Sequence, residues 1–153
     1  MTPKDYEELA KKAYSVDSNF KGGEITHKGD KIVLSDGTEW KVLEAEDNQG
    51  NGFQGMAVAP MNNGKPDTSQ IVVAYAGTNS SDWKDLAIDG ANVMESFHGF
   101  QLHSANKFAE KIEKTYPNSD ISSTGHSLGA FLSLAQGAEH HWQTVTFNRP
   151  EPY

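Results

Sequence analysis

One serine in this chain has neighbours of the type and spacing that chemistry requires. Gly125-His126-Ser127-Leu128-Gly129 has the form G-x-S-x-G, the pattern of a sharp strand-to-helix turn that lifts a serine hydroxyl above the edge of a sheet. Glycines two residues to either side suit such a turn, because strand and helix crowd together there and leave no room for Cβ atoms. The pentapeptide alone is a weak signal, and a plain glycine-rich turn is the alternative. Its surroundings are more specific. Asp120–Thr124 is short and tolerates β structure, while Leu128, Phe131, Leu132, Ala135 and Ala138 recur on one helical face immediately afterwards. A serine hydroxyl is a poor nucleophile unless a base, usually a histidine oriented by a carboxylate, takes its proton. The oxyanion formed on attack needs two preorganised N–H donors, and one of them comes from the residue after the serine, here Leu128.

The elements that must carry this turn can be read from periodicity. Thr2–Ser15 reads as an amphipathic helix with Tyr6, Leu9, Ala10, Ala13 and Tyr14 on one face. Short strands are expected at Glu24–His27, Lys31–Leu34, Thr38–Ala45 and Phe53–Met61, with turns at Ser35-Asp36-Gly37 and Asp47–Gly52 and a polar surface loop over Asn62–Gln70. Ile71–Tyr75 is a continuous apolar, β-branched run, as befits a central strand covered on both faces. Gly77–Ser81 should break that strand. A short helix is expected over Asp82–Asp89, irregular chain over Gly90–Gly99, and a clear helix over Leu102–Tyr116. Gln143–Phe147 is the last strand expected. The alternation of strand and helix gives a single α/β domain, a mainly parallel sheet flanked by helices, with the early strands as its antiparallel edge.

Partners for Ser127 are scarce. His126 occupies the variable position of the motif and reads as structural. His140 and His141 end the helix that runs away from the serine, about 20 Å off at 1.5 Å per residue, so they are not the base. Helix C-terminal histidines that complement the dipole are the better reading for them. His27 and His103 read as surface residues. The carboxylates after Ser127 are Glu139, on the far end of the helix, and Glu151, in the tail, and no histidine follows Glu151. The chain order Ser, then Asp or Glu, then His is not satisfied.

Bulk composition narrows the field. The formal charge of −8 argues against nucleic acid and against adhesion to anionic membranes. There is no Cys, so neither a disulfide, a thiolate nucleophile nor a Cys-based metal site is available. No metal or cofactor is called for. No apolar run approaches transmembrane length, and the first residues lack the apolar core of a signal peptide. The expectation is a soluble protein, cytoplasmic or exported by another route.

GHSLGA, preceded by YAGTNSSDWKD and by FHGFQLHSA, resembles the lipase class 3 family of α/β-hydrolases, especially bacterial members with a G-T…D-W-K-[DE] segment. The resemblance runs from about Gly52 to Pro150. It implies an α/β-hydrolase fold and a serine ester hydrolase acting on lipid or phospholipid esters, with Ser127 as nucleophile. It implies further that the backbone N–H of Thr78, after Gly77, is the second oxyanion donor beside Leu128, and that Gly125 and Gly129 shape the turn. Ala76 stands where many relatives have Arg, which puts only a side-chain anchor in doubt. Asp82-Trp83-Lys84-Asp85 would be scaffold, and Leu86–Phe97 falls where relatives carry a lid, with an ordinary connecting loop as the alternative. Phe97-His98-Gly99-Phe100 is similar to the family's H-x-G-F with one residue deleted, which gives His98 a supporting part near the site. The family places its acid and base well downstream of the serine. The expectation is therefore an N-terminal portion of the fold, with acid and base supplied by a continuation of the chain or by a partner chain. The competing expectation is a catalytically inactive binding or assembly module.

Overall fold

The computed structural model describes residues 1–76 and 91–147, with backbone alone for 91–100. The break expected at Gly77–Ser81, the helix expected over Asp82–Asp89, and Trp83 with its neighbours lie outside the described residues. Helix α1 spans Pro3–Lys12 and continues as a 3-10 turn over Ala13–Val16. Strands β1 (Lys31–Val33), β2 (Glu39–Asn48), β3 (Phe53–Asn62), β4 (Lys65–Pro66) and β5 (Gln70–Ala76) follow. Then come helix α2 (Ala91–Thr115), strand β6 (Asp120–His126), helix α3 (Leu128–His140) and strand β7 (Gln143–Phe147).

The sheet runs β1-β2-β3-β5-β6-β7, with β4 paired to β3 off that path. It is mixed. The first strands are antiparallel up to and including the β3–β5 pair, while β5, β6 and β7 are parallel. The antiparallel edge is thus deeper than the early strands alone, because the turn at Asn63-Gly64 returns the chain directly from β3 towards β5. Two helical layers cover the sheet. On one face α1 and the 3-10 turn bury Leu9, Ala13 and Val16 against Trp40, Val42, Met56, Val58, Val72 and Ala74. On the other, α2 and α3 bury Ala105, Phe108, Ile112 and Leu132 against Phe53, Ala57, Ile71, Val73, Tyr75 and Ile121. Strand β5 therefore sends alternate residues into both cores, which is why its sequence is apolar from Ile71 to Ala76.

Local chemistry explains the ends of α1. Thr2 caps it by accepting the Asp5 N–H at 3.2 Å, and the Asp5 carboxylate accepts the Thr2 N–H at 3.0 Å. This is a reciprocal capping box with proline behind it at the first helical position. Several expectations need correcting: Lys65–Pro66, inside the loop expected over Asn62–Gln70, is strand β4, and β2 runs through Asp47 and Asn48, where a turn is expected. Glu24–His27 is not a strand. It is extended chain held to the 3-10 turn, with the Thr26 N–H on the Ser15 carbonyl at 2.8 Å and the two hydroxyls 2.6 Å apart. Its hydrogen bonds go to the turn, so no strand partner is needed. Gly90–Gly99 is not irregular either, since α2 begins at Ala91. A single glycine inside a helix costs only about 1 kcal/mol, which a helix of 25 residues absorbs.

Candidate active site

Strand β6 has almost no apolar side chains, and its polar residues are shared between two faces. Ser123 turns towards α3, bonding the Ser133 carbonyl at 3.2 Å and the Thr144 hydroxyl at 2.9 Å. Ser122, Thr124 and His126 turn towards α1. The Tyr6 hydroxyl donates to Ser122 Oγ at 3.0 Å, and the Thr124 hydroxyl donates to the Val145 carbonyl at 2.7 Å with the Tyr6 carbonyl 3.4 Å away. The strand ends at Ser127, the N-cap of α3, which sits at φ 59° and ψ −120°. A non-glycine residue in this region costs about 1–3 kcal/mol and is held there only by its surroundings.

Those surroundings are visible. A Cβ on Gly125 would run into the backbone carbonyl of Gly129, and a Cβ on Gly129 into the backbone carbonyl of Tyr75. The two glycines let β5, β6 and the first turn of α3 touch backbone to backbone, and the tight turn follows. The Ser127 N–H donates to the Phe147 carbonyl at 2.9 Å, and the Ser127 carbonyl accepts the Ala130 N–H at 3.0 Å. The His126 carbonyl lies 2.9 Å from the Tyr14 hydroxyl, which also stands 3.1 Å from His126 Nδ1. Burial pushes the Tyr14 phenol up to about 12, so it stays protonated. Burial, then the charge of Lys11, hold the His126 imidazole below its ordinary value. Leu128, wholly buried, is the first residue of α3, and helix geometry leaves its N–H without an intrahelical acceptor. A helix N-terminus with free N–H groups favours a developing negative charge.

The other residues singled out from the sequence are distributed as follows. Gly77 and Thr78 lie outside the described residues, as do Glu151 and the side chain of His98. The backbone at His98 is in the first turns of α2, and 91–97, the described part of the Leu86–Phe97 interval, is helical too. His140 is at the opposite end of β6. Its Nδ1 meets Glu113 Oε1 at 2.6 Å, its Nε2 meets Asn106 Oδ1 at 2.9 Å, and its ring stacks on Trp142. Among the described residues no hydrogen bond joins Ser127 to a histidine or carboxylate, and no cluster could hold a metal ion. Tyr14 is the contact that periodicity could not supply. It reads as a packing residue of α1, and only the tertiary fold brings its hydroxyl to a strand more than a hundred residues away.

A mixed sheet between helical layers, with a serine at a left-handed turn between a parallel strand and the next helix, is the α/β-hydrolase arrangement. Solved lipases share it. The chain is similar to Lip2 lipase from Yarrowia lipolytica (TM-score 0.59, 15% identity), with 95% of this chain and 58% of that one covered. It is also similar to a lipase from Rhizopus microsporus var. chinensis (TM-score 0.53, 16% identity, 98% and 59% covered). A third likeness is to Rhizomucor miehei lipase in its propeptide complex (TM-score 0.54, 16% identity, 98% and 54% covered). The chain thus spans under three fifths of the length of these lipases. No protein-family model matches the sequence, and no curated protein matches it either.

Proposed function

We propose that this chain carries the nucleophile-bearing part of a serine ester hydrolase acting on lipid-type esters. The observation that supports the reading best is Ser127 at φ 59° between β6 and α3, on a fold that lipases share. In the reaction, Ser127 Oγ forms a bond to the ester carbonyl carbon as its proton passes to a base. The carbonyl electron pair moves onto oxygen, where the N–H groups of Leu128 and Thr78 receive it. Collapse of the tetrahedral species breaks the bond to the alkoxy oxygen, which leaves with the proton, and water then releases the acid by the same steps in reverse. His98 supports the site, and Gly77, Gly125 and Gly129 keep side chains out of the way.

The acid and base come from sequence that continues this fold or from a partner chain. Among the described residues, β7 is paired on one side only. An open parallel edge one strand beyond the nucleophile is where further strands would dock. No helix among the described residues is long and apolar enough to cross a membrane, so ester substrates would be met at an interface or in solution. The test is a fluorophosphonate probe, which labels only an activated serine. Labelling and turnover of a p-nitrophenyl ester are expected in a protein that includes the acid and base, and their loss in its Ser127→Ala variant, whereas residues 1–153 alone should turn the ester over only poorly. A longer parent protein that does not label would overturn the proposal and leave the fold as a binding module.

A further inference from the structure

We propose that Tyr14 is a positioning residue for Ser127, whose hydroxyl bridges the Nδ1–H and the carbonyl of His126 and so holds the peptide group that sets the φ of the serine. The inference rests on the reading of Ser127 as nucleophile and adds to it a residue from a distant helix. Rotation about the N–Cα bond of Ser127 is what places its hydroxyl, and one end of that rotation is the peptide plane between His126 and Ser127. That plane is gripped at both poles. Its N–H is on the Phe147 carbonyl at 2.9 Å, and its C=O faces the Tyr14 hydroxyl at 2.9 Å. Beyond Cα, the Ser127 carbonyl is fixed by the Ala130 N–H at 3.0 Å. A residue in a costly region of φ and ψ stays there only when both sides are determined, and Tyr14 supplies a grip that comes from a side chain.

The protons settle the direction of each bond. A phenol has one proton, and a carbonyl can only accept. If that proton pointed at Nδ1, two oxygens would face each other at 2.9 Å with no proton between them. The phenol therefore donates to the carbonyl, and Nδ1, 3.1 Å away, must bring its own proton and donate to the phenol oxygen. This fixes the His126 tautomer from the network around it. The depressed imidazole pKa agrees, since a neutral ring has one proton to place. Tyr6 provides a matched comparison. It stands on α1, just before the 3-10 turn that carries Tyr14, and bonds the same strand, but at Ser122, four residues before the end of β6.

The experiment uses the 153-residue chain as wild type, Tyr14→Phe and Tyr6→Phe. Two-bond ¹H–¹⁵N correlation reports the His126 tautomer, and a fluorophosphonate reports the labelling rate of Ser127. The wild type is expected to show Nδ1–H, and Tyr14→Phe to show a lower Nδ1–H population. Labelling should slow about three- to tenfold in Tyr14→Phe, one directed hydrogen bond's worth, and stay within about twofold in Tyr6→Phe, while both variants unfold at similarly lowered temperatures. Nε2–H in the wild type, a Tyr14→Phe rate equal to wild type, or an equal slowing in Tyr6→Phe would each overturn the proposal. If Tyr14→Phe does not fold, the wild-type tautomer still decides. A wild-type chain that takes up no probe overturns Tyr14's part in its reactivity but not the hydrolase reading, which the longer parent tests; the tautomer then decides the bridge alone.

Discussion

The two ends of β6 are built from similar materials to opposite effect. At the Asp120 end, His140 is closed in by Glu113, Asn106 and Trp142, so each ring nitrogen has an oxygen partner and the ring has a stacking face. At the Ser127 end, His126 meets the Tyr14 phenol, two glycines remove side chains, and the serine is twisted to a positive φ. The first end ties α2, α3 and the residue that leads into β7 together. The second exposes a strained hydroxyl at the start of a helix. Side-chain contacts of His140 mark the end that holds the fold, and strain held by backbone contact marks the end where the chemistry is proposed.

The largest contrast expected is between glycines. In Gly129→Ala the new methyl meets the backbone of β5, which cannot move without opening the sheet. A loss of about 3 kcal/mol or more is expected in urea unfolding. In Gly137→Ala the obstacle is the Thr144 side chain, which can turn away, and the helix recovers about 1 kcal/mol by losing a glycine. Less than half the loss is expected there. Equal losses would show that backbone crowding is no special property of the turn.

His140→Ala should come next. It removes two polar contacts and a stacked ring at a side chain only 10% exposed, for about 1–2 kcal/mol of stability, and leaves the fluorophosphonate labelling rate unchanged. A drop in that rate would couple the two ends and blur the division drawn between them. A smaller effect of opposite sign is expected in Ser127→Gly. Release of the positive φ should raise stability by about 0.5–1 kcal/mol after allowing for the looser unfolded chain, whereas Ser127→Ala should leave it near wild type. Loss of stability in Ser127→Gly would mean the serine is not strained.

Much of this was legible in the residues. The capped helix at Thr2, the both-faced strand Ile71–Tyr75 and the strand–turn–helix around Ser127 rest on local patterns, and local patterns are what one sequence displays. The failures are tertiary. Glu24–His27 has strand composition yet spends its hydrogen bonds on Ser15 and Asp30. Gly90–Gly99 reads as irregular chain, although the backbone from Ala91 onward belongs to a long helix. The register shift at Val42/Glu44 in β2 leaves no mark in composition. Tyr14 is the sharpest case, because a helix face predicts that a tyrosine is half-buried but not what its hydroxyl will find.

The smallest effect expected is a pH dependence confined to the Ser127 end. The imidazole of His126 titrates below its ordinary value in the folded chain, because burial and then Lys11 penalise its charged form. Between that value and about 6.5, where an unfolded histidine titrates, the unfolded chain binds the extra proton and the folded chain does not. Stability then rises with pH across the window. His126 contributes fully above about pH 6.5, and the contribution is lost as pH falls through the folded value. Acidic groups titrate nearby, so the wild type alone cannot isolate this term; the difference between wild type and His126→Asn can, since Asn keeps an N–H that can face the Tyr14 oxygen. Urea unfolding of both at pH 7.5 and 5.5 should show the wild type losing more on acidification than the variant. A difference that stays flat, or that grows in favour of the wild type at low pH, would mean that protonated His126 finds a partner at the turn, and the contrast with the far end of β6 would lose its electrostatic half.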